Sequence, residues 1–174
     1  MGAWDYPREW GVLDRFTALF GDGVADNPNV AIIKLFGHNY ATTEIPKIFE
    51  FDPVTLETVG SVELNKIVPE LKDLRTMTPH PLHDKDGTLW NLGMLTTSSG
   101  LKAAVFKVPP PETEAEKRNP WLKTQLVATI PSRNSMSFSY FHSFFMTENY
   151  LIYPEMPWMM GNLFNMLWEF VFLG

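Results

Sequence analysis

The sequence contains no cysteine. That excludes a disulfide framework and any thiolate metal site, so a metal bound here would be held by imidazole or carboxylate. It is also compatible with the cytosol, the default compartment. Positive charge is scarce: 14 Lys and Arg stand against 20 Asp and Glu, a formal net charge of −6. No nucleic-acid partner is expected from that balance. A clean apolar run is missing too. The nearest stretch, Pro157 to Gly174, is interrupted by Asn162, Asn165 and Glu169, so no transmembrane helix is expected. The opening Met1-Gly2-Ala3-Trp4-Asp5-Tyr6 lacks the basic start and apolar core of a secretory leader. Tyr6 stands where a myristoylation signal needs Ser or Thr.

What is present is ordinary for a globular chain: 174 residues, 45% apolar and 20% charged, enough for one domain with a real core. Val12, Leu13, Phe16, Leu19 and Phe20 are spaced for a short helix or packed arm over Trp10 to Phe20. From Asn29 the texture changes to short β-type runs at Val30 to Phe36, Asn39 to Glu44, Lys47 to Phe51 and Leu56 to Val62. Others follow at Thr88 to Met94, Leu101 to Val108, Gln125 to Ile130, Ser137 to Phe144 and Asn149 to Tyr153. Asp52-Pro53-Val54-Thr55 and Asp84-Lys85-Asp86-Gly87 read as turns, and Pro109 to Pro120 as a surface loop. Many short strands at turn-marked intervals predict an all-β fold.

A weak repeat lies inside this pattern. Three times a turn precedes a strand with an aromatic near its start, at Tyr40, Trp90 and Tyr150, spaced 50 and then 60 residues apart. Propeller blades repeat at about 40–50 residues, longer where loops are inserted. At that spacing the chain holds about three blades, fewer than a closed propeller needs, so it is expected to be part of a larger fold.

The four histidines are His38, His80, His83 and His142. His38 lies in a turn beside Gly37 and Asn39, where a solvated role is expected, and His83 precedes the Asp84 to Gly87 turn. His80 and His142 sit in β-type runs among apolar neighbours. A buried neutral imidazole must pair both ring nitrogens. From the pattern alone, a core histidine satisfied by backbone is the more economical reading, and a metal ligand is the other.

The residues around them add a resemblance. Thr78-Pro79-His80-Pro81 followed by Asp86-Gly87-Thr88-Leu89-Trp90-Asn91-Leu92-Gly93 resembles one signature of the carotenoid cleavage oxygenases. Tyr140-Phe141-His142-Ser143-Phe144 with Thr147-Glu148-Asn149-Tyr150 resembles a second. Asp26 to Val30, Tyr40-Ala41-Thr42-Thr43-Glu44 and Asp52 to Thr58 are similar to further segments in the same order. The animal branch, with its β-carotene oxygenases and retinoid isomerases, is the closer likeness. Pro79 departs from that pattern, standing where the family usually has Ala.

The resemblance implies a seven-bladed β-propeller with one Fe(II) on its axis, held by four histidines and supported by glutamates behind them. His80 and His142 match two of those ligands, half of the expected set. Glu44 matches a glutamate that bonds the far nitrogen of a ligand, with His142 its expected partner, and Thr43 falls where the family lines the metal cavity. The implied reaction is oxidative cleavage of a carotenoid double bond by O2 to apocarotenoid or retinal aldehydes. The implied partners are a carotenoid or retinoid and O2. Residues 1–174 are thus expected to form an incomplete carotenoid oxygenase propeller, with an arm over 1–20, short helical segments at both ends, and an apolar segment over 157–174. That last segment reads either as a core helix or as a peripheral membrane contact through Trp158, Phe164, Trp168 and Phe170. With two of four imidazoles, the isolated chain is expected to lack catalysis. A non-catalytic paralogue that binds carotenoid or retinoid, and an all-β interaction domain, are the competing readings.

Overall fold

A computed structural model of the chain describes residues 27–133, 137–157 and 159–160. The expected arm over 1–20 and the body of the C-terminal segment, with Phe164, Trp168 and Phe170, lie outside the described residues, as does Trp158.

The chain first lays down a four-stranded antiparallel meander: β1 (Ala31–Leu35), β2 (His38–Thr42), β3 (Lys47–Phe51) and β4 (Thr58–Glu63). Phe36 and Gly37, both at positive φ (46° and 97°), form the two-residue turn between β1 and β2. Positive φ at both turn positions matches the twist of the strands it joins. Asp52 accepts backbone N–H bonds from Val54 (2.7 Å) and Thr55 (3.0 Å) and so shapes the turn from β3 to β4.

One helical turn, Leu64–Ile67, and a 3-10 turn, Pro69–Leu71, carry the chain to a second antiparallel sheet. It comprises β5 (Leu74–Met77), β6 (Leu82–His83), β7 (Leu89–Thr97), β8 (Gly100–Val108) and β9 (Gln125–Pro131). The order is β5-β7-β8-β9, with β6 also paired to β7. Two short pairs follow: β10 (Phe138–Ser139) with β13 (Met159–Met160), and β11 (Phe145–Met146) with β12 (Leu151–Ile152).

The central strands of the second sheet, β7 and β8, are buried on both faces, while β9 at its edge is largely exposed. Leu89 and Leu95 of β7, with Ala104, Phe106 and Val108 of β8, join Leu35, Tyr40, Ile48, Leu71 and Trp121 in the larger core. The alternate residues Leu92, Met94, Ala103 and Val105 pack on the other face with Phe141 and Phe144. Alternation across a strand puts successive residues on opposite faces, so a strand covered on both sides reads as a nearly continuous apolar run. Gly93 sits where β7 meets β5. A Cβ there would stand 2.5 Å from Leu74 Cδ1 and 2.7 Å from the Thr76 carbonyl oxygen. The first sheet differs, with Ile32 73% and Val59 65% exposed on it.

The all-β expectation agrees with these antiparallel sheets. Tyr40 and Trp90 do occupy matching places, each in the second strand of its sheet. The third repeat does not follow: Tyr150 lies in the turn before β12 and is 72% exposed. The loop Pro109 to Pro120 contains a helix, Glu114–Arg118, closed by a capping box in which Thr113 and Glu116 bond each other's backbone. The start of the apolar C-terminal stretch is extended, since Met159–Met160 pair with Phe138–Ser139.

Candidate metal centre

His80 lies at a break in its strand. β5 pairs with β7 through Gly93 to Leu95, and β6 pairs with it again through Leu89 and Trp90. Between them runs Thr78-Pro79-His80-Pro81. Pro79 and Pro81 carry no N–H and cannot extend a ladder, so the chain lifts off β7 and displays the imidazole between two anchored halves. The sequence placed His80 and His142 within β-runs; the structure puts both in loops. His142 follows β10 by three residues, and its side chain is 46% exposed.

The two rings meet edge to face, with centroids 4.7 Å apart and Nε2 atoms 3.0 Å apart. Behind His142, Glu44 Oε1 accepts from its Nδ1 at 2.8 Å. The same carboxylate oxygen accepts from the Tyr140 hydroxyl, which lies 3.1 Å from the His142 Nδ1. A carboxylate on Nδ1–H fixes the tautomer that leaves Nε2 bare, and makes that nitrogen a better donor to a metal. Burial, with the neighbouring His142 ring, holds His80 below the usual histidine pKa against the pull of Glu44. His80 is therefore neutral at pH 7, the form that ligates. Burial and the hydrogen bond to Glu44 push the Tyr140 phenol up to about 12. It remains a donor to that carboxylate at any physiological pH.

This donor set fits a transition metal. Imidazole nitrogens bind such ions at about 2.0–2.1 Å, and the His80 and His142 Nε2 atoms, 3.0 Å apart, are near enough to share one. Among the described residues no group of three or more His, Asp or Glu side chains could hold an ion. The site consists of two imidazoles and a supporting carboxylate.

The structure brings Glu44, His80 and His142 together, with His142 lying 98 residues from Glu44 and 62 from His80 in the chain. Thr43 is buried beside Glu44, at 5% exposure. His83 is exposed in β6. His38 is a correction: it is not a solvated turn residue. Its Nδ1 contacts Glu50 Oε1 at 2.7 Å and its Nε2 contacts the Lys117 carbonyl at 2.8 Å. Tyr140 was missed. Its position two residues before His142, an i,i+2 spacing, was the available signal.

The fold and site thus define an all-β chain of antiparallel sheets that brings two imidazoles and a carboxylate to one loop cluster. Comparison with known proteins carries this further. The sequence matches the model of the family described as retinal pigment epithelial membrane protein over residues 6–170. It is 38% identical to the β,β-carotene 15,15'-dioxygenase of Homo sapiens over 135 residues, covering 76% of this chain and 24% of that protein. To the Gallus gallus protein of the same name it is 37% identical over 134 residues, 76% of this chain and 25% of the relative. The chain spans about a quarter of the length of these relatives. Its fold is similar to the crystal structure of an ACO/RPE65 chimera, with TM-score 0.53 and 17% sequence identity over 86% of this chain and 29% of that one. The chain belongs to the carotenoid cleavage oxygenase family that the retinal pigment epithelial membrane proteins define.

Proposed function

We propose that this chain contributes two iron ligands, His80 and His142, to a dioxygenase that cleaves a carotenoid double bond to aldehydes. The observation that carries the reading is the approach of the two Nε2 atoms to 3.0 Å, with Glu44 holding the far side of one ring. Kinship with β,β-carotene 15,15'-dioxygenases supports the substrate class. Ferrous iron, when bound, supplies the chemistry that activates O2 for oxidative cleavage of the polyene. The chain's own residues do the preparatory work. His80 offers a neutral ring, Glu44 keeps the His142 proton on Nδ1, and Tyr140 fixes the Glu44 carboxylate. Neutral imidazoles leave the cation its full charge.

The full seven-bladed propeller, two further histidine ligands, and a cytoplasmic protein peripheral on membranes through its C-terminal apolar segment belong to this proposal. Two imidazoles bind ferrous iron weakly, so the 174 residues alone are expected not to cleave. Loading the protein with ferrous iron and incubating it with β-carotene in air tests the whole reading. The protein containing this segment with the remaining ligands is expected to release retinal-type aldehydes, and His80→Ala or His142→Ala to abolish them. Undiminished product from both variants would refute the assignment.

A further inference from the structure

From the hydrogen bonds around the strand break, we propose that Thr42 and Asn91 are positioning residues that hold His80 at its working distance from His142. The inference rests on reading these two histidines as metal ligands. It concerns what aims one of them.

The break that displays His80 costs the strand its ladder. Over Thr78 to Pro81 the backbone keeps one bond to β7, from the Thr78 N–H to the Leu92 carbonyl at 2.8 Å. Side chains supply the rest. The Asn91 amide on β7, only 2% exposed, donates to the Thr78 carbonyl at 3.0 Å. Its own oxygen accepts from the Leu92 N–H at 2.8 Å, which fixes the direction of the amide. On the far side, the Thr42 hydroxyl, 1% exposed, has the Pro79 carbonyl at 3.0 Å as its nearer acceptor and the Ala31 carbonyl of β1 at 3.2 Å as a second, sharing its one proton between them. Thr78 Oγ1 then accepts the His80 N–H at 2.9 Å. The two peptide units preceding His80 are therefore gripped from opposite sides, Thr78 by the second sheet and Pro79 by the first.

The grip from the first sheet also sets the distance between the ligands. Thr42 ends β2, and two residues later Glu44 accepts from the His142 Nδ1. The Glu44 carbonyl accepts the Met77 N–H at 2.8 Å, tying the same segment to the end of β5. One short stretch, Thr42 to Glu44, thereby bonds the backbone leading to His80 and the ring of His142. Buried polar groups of this kind are costly to leave unpaired and so hold their partners firmly. Groups that orient metal ligands typically change metal affinity by about 10–100-fold when removed.

The test uses the full chain and the variants Thr42→Val, Thr42→Ser and Asn91→Leu, with Co(II) as the metal probe under argon. Thr42→Val keeps shape and removes the hydroxyl, Thr42→Ser restores it, and Asn91→Leu removes the amide. Thr42→Val and Asn91→Leu are each expected to weaken Co(II) binding about 10-fold, with Thr42→Ser near the parent. In the metal-free protein, the proton NMR cross-peak between the His80 and His142 rings is expected to fade in the two defective variants and persist in Thr42→Ser. Unchanged affinity and an unchanged cross-peak in folded Thr42→Val and Asn91→Leu would overturn the proposal. Should the parent bind no Co(II), or His80→Ala bind it equally well, the metal reading fails while the ring cross-peak still decides the positioning claim. A variant that fails to fold by circular dichroism is replaced by Asn91→Asp, which keeps the acceptor and loses the donor. It is held to the same two readouts, and unfolding of that variant as well counts against a role confined to positioning.

Discussion

Two imidazole–carboxylate pairs in this molecule look alike from one side and differ on the other. His38 Nδ1 contacts Glu50 at 2.7 Å, and His142 Nδ1 contacts Glu44 at 2.8 Å. Past the ring, His38 Nε2 meets a backbone carbonyl, an acceptor. Two acceptors require two N–H groups, so His38 is satisfied only as the cation. Its pKa is raised, first by the hydrogen bond to Glu50 and further by the Lys117 carbonyl, against the opposing pull of burial. His142 Nε2 meets the neutral ring of His80, where a bare lone pair is useful. The carboxylate alone does not decide whether a histidine becomes a latch or a ligand. The group at the other nitrogen decides it.

The surroundings follow the same division. His38 stacks on Tyr40 at 6.0 Å, and Tyr40 packs edge-on against Trp121 at 5.5 Å. This column docks the helical segment Glu114 to Lys123 onto the first sheet. The Lys117 ammonium is engaged with Glu114, leaving Glu50 as the charge that faces His38. The other pair is less enclosed, with the His142 side chain 46% exposed.

The comparison breaks most sharply if the column is removed. Trp121→Ala, at a fully buried aromatic, is expected to cost about 3–5 kcal/mol in chemical denaturation, and to free His38 from Lys117 in the NMR spectrum. A loss under 1 kcal/mol would show that the column does not hold the segment. Next comes a difference in metal binding: His80→Ala or His142→Ala is expected to lower Co(II) affinity by about 100-fold or more, and His38→Ala to leave it unchanged. Equal losses in all three would make the latch and the ligands one system. A smaller effect, about 10-fold, is expected for Glu44→Gln, which keeps an acceptor for Nδ1–H but removes the charge that makes the ring basic. Smallest is the pH dependence of the latch. Because the folded pKa of His38 is raised, its contribution is complete below the unfolded value near 6.5 and is lost as pH rises through the folded value. The stability lost across that window should stay under about 1 kcal/mol and vanish in His38→Leu. A loss of the same size in that variant would assign the pH dependence elsewhere.

How much of this was legible in the sequence varied with the range of the interaction. The strands of the first sheet and β7, β8 and β9 of the second could be located from alternation and turns, because those are local; β5 and β6, four and two residues long, were not. The pairing of Glu44 with His142 was reached through flanking motifs; spacing alone says nothing about residues 98 positions apart. The break at His80 was written in Pro79 and Pro81, but the apolar neighbourhood suggested a continuous strand. His38 was misjudged because its second partner is a carbonyl 79 residues away, on a helix inside what reads as a proline-rich loop. Thr42 and Asn91 act through backbone carbonyls, whose positions no side-chain pattern reveals.

The central claim is that Glu44 holds the His142 proton on Nδ1 and leaves Nε2 free for a metal beside His80. Long-range proton–nitrogen NMR of the histidine rings in the metal-free protein reads this tautomer directly. The expected result is a His142 proton on Nδ1, facing Glu44, that moves to Nε2 in Glu44→Ala, with His38 protonated on both nitrogens at pH 6. A His142 ring protonated on Nε2 in the unaltered protein would contradict it.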